Sequence, residues 1–162
     1  MKRIVMNYGV MIPVFLCVIY SVRDLLINPH SQFWATIILK NCLVFARGWQ
    51  MLGFGVGHLF FADQIAGYIG LTKGHLFQSE VGVADMGMGI TGIMCGWLGG
   101  LFWLAVIIDT SIFAWGCAIG HIKEMRVNNN RNPGNTGYVL WWDLVIPIAL
   151  ITLGALHFLH AT

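Results

Sequence analysis

Residues 79–121 read SEVGVADMGMGITGIMCGWLGGLFWLAVIIDTSIFAWGCAIGH. This stretch is mostly apolar, and it is about twice as long as the roughly 20 residues with which an α-helix crosses a bilayer. It predicts either one long crossing followed by a short helix, or two crossings joined at Gly99-Gly100. The number of crossings in the whole chain depends on this choice.

The composition of the chain is that of a membrane protein. Of the 162 residues, 57% are hydrophobic and 10% are charged, whereas about a quarter of the residues in a soluble domain are charged. We therefore predict an all-α protein, an integral membrane helical bundle with short loops that forms a single transmembrane domain over residues 1–162. The net charge of +2 comes without a basic cluster, which argues against nucleic acid as a partner.

Two crossings within residues 79–121 give a bundle of about five transmembrane helices, and one crossing gives four. The five would lie near residues 4–22, 43–62, 79–98, 101–122 and 138–159. With five, most basic loop residues gather on one side, opposite Arg23: Lys2, Arg3, Lys73, Lys123, Arg126 and Arg131. Because Lys and Arg are enriched in cytoplasmic loops, this favours five crossings in the cytoplasmic membrane, with the N-terminus in the cytoplasm and the C-terminus outside.

Glycines indicate the faces on which these helices pack. Lipid tails are as apolar as leucine, so helices in a bilayer associate through close backbone contact and polar pairing. The candidate packing residues recur at helical spacing in the third and fourth crossings: Gly89, Gly92 and Gly96, then Gly116 and Gly120. The pattern predicts packing within the chain, with a homo-oligomer or contact with other membrane subunits as the alternative.

Charged residues inside the crossings require a partner or a cavity, because a charge at bilayer depth is energetically costly. Arg47 and Asp109 lie at depths that allow them to form a buried ion pair. Such a pair would fix the register of two helices. Alternatively, the two residues would contact a substrate or take part in a relay.

A denser polar group is predicted at the inner boundary of the second to fifth crossings. Its members are candidate ligands or relay residues: His58, Asp63, Glu80, Asp85, His121 and Asp143. Imidazoles and carboxylates together suit a proton relay or a metal ion, and at headgroup level they also form hydrogen-bonded caps. The metal candidates are His58, Glu80, Asp85 and His121, although no two ligands share the spacing of one helix face.

The four cysteines, Cys17, Cys42, Cys95 and Cys117, lie in apolar stretches without C-x-x-C spacing. Free cysteine is among the most buried residue types. We therefore predict four small packing groups rather than a disulfide framework or a zinc site. The sequence also carries no recognised catalytic motif and specifies no cofactor.

Residues 53–150 contain a series of short motifs. They are Gly57-His58-Leu59-Phe60, Gln78-x-Glu80-Val81-Gly82-x-Ala84, Ser111-Ile112-Phe113, Ala118-Ile119-Gly120-His121-Ile122, Asn132-Pro133-Gly134-Asn135-x-Gly137 and Val139-Leu140-Trp141-x-Asp143, with Pro147 following. Together they resemble a family of small bacterial and archaeal multi-pass membrane proteins of unknown function. A more distant likeness is to DoxX-like four-helix membrane proteins, some of which accompany quinone-linked oxidoreductases. The resemblance implies a membrane bundle and no particular activity, and its motif members include His58, Glu80, Asp85, His121 and Asp143.

Three functions are compatible with these features. Small size, glycine-lined faces, short loops and the lack of a catalytic motif favour a non-catalytic accessory subunit of a larger membrane complex. The polar group at the inner boundary would instead serve a small transporter or proton-coupled permease, which would need an oligomer because five crossings are few. The same group would also serve a redox protein that binds a metal, haem or quinone.

Overall fold

The structure is a computed structural model that describes residues 11–29, 33–74 and 76–160. Over these residues the chain is helical without any strand, which confirms the all-α prediction for this part of the chain. The elements are α1 (Ile12–Ile27), α2 (Trp34–Asn41), a π-helical segment (Cys42–Trp49), α3 (Gln50–Phe60), α4 (Ala62–Ile69), α5 (Phe77–Met94), α6 (Leu101–Val127), α7 (Pro133–Thr136) and α8 (Tyr138–His160). Residues 4–10 of the predicted first crossing, and the basic residues Lys2 and Arg3, lie outside the described residues.

The elements α2 and α3 and the π-helical segment between them form one continuous helix, which we call helix 2 (residues 34–60). The residues at its two junctions, Cys42 and Gln50, keep right-handed helical dihedral angles. A π-helical turn contains an extra residue, and such turns are frequent at functional sites. The segment carries Arg47, which is buried.

Helices α5 and α6 are separate and are joined by a tight turn at residues 95–100. Gly100 has φ 60° and ψ −129°, a backbone conformation that residues with a Cβ rarely adopt. The indole Nε1 of Trp103 donates a hydrogen bond of 3.0 Å to the carbonyl of Cys95. This bond joins the start of α6 to the end of α5. The stretch 79–121 is therefore divided into two helices, as the two-crossing interpretation requires.

Helix 2 and α5 pack with their backbones in close contact. A Cβ built on Gly92 would lie 2.6 Å from Cα of Gly48, and one built on Gly89 would lie 2.8 Å from the side chain of Leu52. Such distances leave no space for a methyl group. Glycine at these positions therefore allows the two helices to approach each other this closely.

The other predicted packing glycines are less enclosed. A Cβ on Gly96 would lie 3.2 Å from the carbonyl oxygen of Ile93, which is tight, and 3.6 Å from the side chain of Val44, which is ordinary contact. A Cβ on Gly116 or Gly120 would meet no atom of the described residues within 4 Å, and both glycines are exposed on α6. The described part of the chain therefore leaves this face of α6 uncovered.

Helices α6 and α8 pack against each other and against helix 2 around an apolar core. Leu39, Leu43 and Leu150 are fully buried there, and Trp103 and Ile146 are nearly so. Close packing of this kind tolerates little displacement of the helices. The core therefore fixes the positions of the polar residues that these helices carry.

Loops and polar contacts gather at two ends of the bundle. At the end that we call the asparagine end (residues 61–74 and 128–137), Asn130 Nδ2 donates a hydrogen bond of 3.0 Å to the carbonyl of Ile69. At the opposite end, which we call the tryptophan end, Trp103 lies between the turn at residues 95–100 and His157. The ring centroids of these two residues are 5.1 Å apart. Helix α5 runs from the first end to the second, and α6 returns.

Within the described residues, two helical segments are long and apolar enough to cross a membrane, Leu101–Val127 and Pro133–Leu159. They support two of the about five predicted crossings. The other candidates fall short for visible reasons. The described part of the first, α1, has 16 residues, and helix 2 carries the polar residues Lys40, Arg47 and Gln50. Helix α5 contains Glu80, Asp85 and several glycines.

Candidate functional site

A first histidine–carboxylate pair joins helix 2 to α5. His58 lies near the C-terminal end of helix 2, and its Nδ1 is 2.6 Å from Oε1 of Gln78 in the first turn of α5. Two turns further along α5, Oδ2 of Asp85 lies 3.9 Å from Nε2 of the same ring. Asp85 is 2% exposed and Gln78 is 3% exposed. The imidazole is therefore held between two buried polar groups.

A second pair joins α6 to α8 at the asparagine end. Nδ1 of His121 is 2.7 Å from Oδ1 of Asn135, and Nε2 is 3.8 Å from Oδ2 of Asp143. Asn135 is fully buried, and its Nδ2 donates hydrogen bonds to the carbonyls of His121 and Asn130, at 3.2 and 3.0 Å. These two bonds hold the amide so that its oxygen faces the histidine ring.

The two pairs have the same construction, with an amide oxygen at Nδ1 and a carboxylate near Nε2. An amide oxygen accepts a hydrogen bond, so the neutral ring carries its hydrogen on Nδ1 and leaves Nε2 as an acceptor. The separations of 3.8 and 3.9 Å between Nε2 and the carboxylate oxygen are longer than a direct hydrogen bond. They are short enough that a small rotation of either side chain brings the two groups within hydrogen-bond distance. Each pair can therefore hold a proton on either of two neighbouring groups.

A buried cation accompanies the two pairs. Arg47 lies about three turns before His58 on helix 2 and is 4% exposed. Its Nη2 contacts Sδ of Met88 at 2.7 Å, and its Nε has no hydrogen-bond partner among the described residues. Met88 lies one turn after Asp85 on α5, and Cζ of Arg47 is 5.9 Å from the centroid of the Phe113 ring on α6. The guanidinium therefore faces both α5, which carries Asp85, and α6, which carries His121.

The predicted ion pair between Arg47 and Asp109 is not formed. No contact at ion-pair distance joins the two side chains, which both lie in the described part of the chain. Asp109 is exposed on α6, whereas its neighbours Thr110 and Ser111 are buried. The ring of Phe113, one turn after Asp109 on α6, lies over the guanidinium instead, with its centroid 5.9 Å from Cζ of Arg47.

Two members of the predicted polar group lie apart from the pairs. Asp63 is exposed, and its Oδ1 accepts a hydrogen bond of 2.9 Å from the backbone N–H of Gly74. Glu80 is exposed in the first turn of α5. In residues 11–29, 33–74 and 76–160, no group of three or more His, Cys, Asp or Glu side chains could hold a metal ion. The structure therefore does not assemble the metal candidates into one site: His58, Glu80, Asp85 and His121.

Several site contacts were not predicted from the sequence. Gln78 and Asn135 orient the histidine rings, and Gln50 Nε2 donates a hydrogen bond of 2.7 Å to the hydroxyl of Tyr138, which joins helix 2 to α8. The spacing of Gln78, two turns before Asp85 on one helix face, is a signal that could have identified it. The role of Asn135 depends on the fold of a loop, which no spacing indicates.

Comparison with protein families matches residues 6–161 to DUF6790, a family of unknown function. The chain belongs to this family. No curated protein and no solved structure was found to match the chain. The match agrees with the predicted membership of a family of unknown function. It covers both histidine–carboxylate pairs of this DUF6790 protein and assigns no activity to them.

Proposed function

We propose that this DUF6790 protein crosses the cytoplasmic membrane about five times and moves protons through its helical interior, alone or coupled to a solute. The proposal rests on the two histidine–carboxylate pairs, which have the same construction: His58 with Asp85, and His121 with Asp143. Each site has two groups that can exchange one proton. Buried ionisable groups inside a membrane bundle are typical of proton pathways.

Arg47 supports the same proposal. A buried guanidinium requires an anionic or polar partner, and Arg47 contacts Met88, one turn after Asp85 on α5. Helix 2 also positions both Arg47 and His58, so a movement of this helix would change both pairs together.

The distribution of basic residues supports the proposed orientation. Lys73 and Arg131 lie at the asparagine end, and Lys123 and Arg126 lie in the last turns of α6 that lead to it. Arg23 lies near the end of α1, away from them. Because cytoplasmic loops carry an excess of Lys and Arg, the asparagine end would face the cytoplasm. Both histidine pairs would then lie nearer the cytoplasmic side, with Arg47 deeper in the bundle.

The test is proton flux into liposomes that contain the purified protein and a trapped pH-sensitive dye. A potassium gradient with valinomycin supplies the membrane potential. We expect faster acidification than in protein-free liposomes. Asp85→Asn and Asp143→Asn should each slow it by about a hundredfold, the lower end of what a positioned acid or base contributes to proton transfer.

The structure supplies matched controls for these variants. Asp63→Asn and Glu80→Gln remove carboxylates near the same end of the bundle, but both residues are exposed and lie outside the pairs. They should leave the flux unchanged. Equal loss in all four variants, or a wild-type flux equal to that of protein-free liposomes, would contradict a relay through the two pairs.

A second candidate function is that of an accessory subunit in a larger membrane complex. The observation that favours it is the uncovered face of α6, on which Asp109, Gly116 and Gly120 are all exposed. A carboxylate on a lipid-facing surface is costly, so another protein would be expected to cover it. The likeness to DoxX-like proteins points in the same direction. Purification in mild detergent tests this proposal, because a stable, uniform protein without a co-purified subunit would count against it.

A further inference from the structure

Two of the four cysteines meet in the interior of the bundle. Sγ of Cys17 on α1 lies 3.6 Å from Sγ of Cys42, the first residue of the π-helical segment. Both are free thiols. The separation is contact distance for two sulfur atoms, about 1.5 Å longer than a disulfide bond. The sequence predicts four small packing groups, and the structure brings two of them into contact.

The sulfur atoms lie on the narrow surface by which α1 packs against helix 2. Cys17 and Ser21, one turn apart, are the buried residues of α1. Beside them, the rings of Tyr20 and Phe45 stack with centroids 4.7 Å apart. Most large apolar side chains of α1 are exposed instead. A bond between the two sulfurs would therefore strengthen a contact that few buried side chains maintain.

The remaining two cysteines have different surroundings and serve as internal references. Sγ of Cys95 lies 3.5 Å from the carbonyl oxygen of Thr91, one turn earlier in α5. Cys117 is half-buried on α6. In the part of the chain that the structure describes, neither has a second sulfur as a hydrogen-bond partner, so neither is positioned to form a disulfide.

We infer that Cys17 and Cys42 are an oxidisable dithiol that closes to an intramolecular disulfide and links α1 covalently to helix 2. The oxidant must be small and lipid-soluble because Cys17 is 6% exposed. Two-electron acceptors such as azo compounds and quinones meet this requirement. Closure removes two electrons and two thiol hydrogens from the protein.

With the azo compound diamide, the thiolate of one cysteine adds to the N=N bond. The second sulfur then attacks the first, forms the S–S bond and displaces a hydrazine. Both thiol hydrogens end on its nitrogen atoms. The product fixes α1 to helix 2, and a reducing agent reverses the reaction. This inference does not depend on the proposed proton pathway, because neither sulfur belongs to the two histidine–carboxylate pairs.

The test uses the full chain in lipid nanodiscs. The protein is treated with diamide, blocked with N-ethylmaleimide, denatured and digested with trypsin without a reductant. Arg23 and Lys40 provide cleavage sites between the two cysteines. We expect fragments 4–23 and 41–47 to remain linked, with a mass lower than their sum by two hydrogens, and to separate on reduction.

Single variants assign the link. Cys95→Ser and Cys117→Ser should keep it, whereas Cys17→Ser and Cys42→Ser should abolish it. The wild-type digest decides the question even if a variant fails to fold. Recovery of both fragments as separate maleimide adducts after oxidation would overturn the proposal. A link to fragment 74–123, which contains Cys95 and Cys117, or between two copies of fragment 4–23, would also overturn it.

Discussion

At the scale of single residues, amide groups orient both histidine rings. Gln78 and Asn135 contact Nδ1 at 2.6 and 2.7 Å, whereas the carboxylates stay 3.8 to 3.9 Å from Nε2. The hydrogen bond at Nδ1 persists whether or not Nε2 is protonated, because Nδ1 is a donor in both states. Orientation and proton exchange are therefore carried out by different residues.

Asn135→Ala should destabilise the protein by about 1–3 kcal/mol, the cost of leaving buried polar groups without partners. The substitution removes the hydrogen bonds to the carbonyls of His121 and Asn130 and the contact with the His121 ring. The measurement is thermal unfolding in detergent. Asn128→Ala is the control, since this side chain is exposed and bonds only to Glu124 in the described part of the chain. Equal shifts for both variants would contradict the structural role of Asn135.

At the scale of helices, the contact between helix 2 and α5 depends on backbone against backbone. Gly92 and Gly48 approach so closely that neither has space for a methyl group. The same contact sets the distance between His58 on helix 2 and Asp85 on α5. The close approach of Gly92 to Gly48 therefore determines both how the two helices pack and how far His58 lies from Asp85.

Gly92→Ala should lower the free energy of unfolding by about 1–3 kcal/mol, the usual effect of adding a group to a packed interior. The reason is that the new Cβ would meet backbone atoms that cannot move aside. Gly53→Ala on helix 2 is the matched control. A Cβ there would meet nothing within 4 Å in the described residues, and alanine favours helix over glycine. Resistance to unfolding by SDS should fall for the first variant and stay equal or rise for the second. The opposite order would show that the two helices are not in contact at Gly92.

The turn between α5 and α6 provides a separate test of the hairpin. Gly100→Ala should destabilise the protein by about 1–3 kcal/mol because its φ of 60° with ψ of −129° strains any residue with a Cβ. The neighbouring Gly99 does not have a positive φ, and a Cβ there would meet no described atom. Gly99→Ala should therefore leave the unfolding temperature nearly unchanged. Equal effects would argue that residues 79–121 form one continuous helix.

The sequence predicted that residues 79–121 divide into two helices, although the helix from Leu101 runs to Val127 and helix 2 begins at Trp34, beyond the predicted bounds. The break at Gly99-Gly100 was indicated by adjacent glycines, which disfavour helix at any rotation. The site required rotation as well. His58 and Asp85 do face each other, but no ion-pair contact joins Asp109 to Arg47, and Glu80, two residues after the buried Gln78, is exposed. Rotation is set by packing between helices distant in sequence, and the π-helical segment changes it further within helix 2.

At the scale of the whole molecule, the two ends of the bundle differ in charge and in residue type. The asparagine end collects hydrogen-bonded amides together with Lys73 and Arg131. The tryptophan end is formed by Trp103, His157 and a glycine turn. Both histidine–carboxylate pairs lie nearer the asparagine end. A proton entering the proposed pathway from the cytoplasm would therefore meet the histidines before it reached Arg47.

This polarity predicts a pattern of labelling in intact cells. In a variant with all four cysteines replaced by serine, Gly74→Cys and Asn129→Cys at the asparagine end should resist a membrane-impermeant maleimide added outside. Gly99→Cys at the tryptophan end should react, because residues 95–100 would lie outside the cytoplasm. Permeabilised cells should label at all three positions, which serves as the control for reactivity. Reaction at the first two positions alone would reverse the orientation, and equal reaction at all three in intact cells would rule out a crossing by α5 or α6.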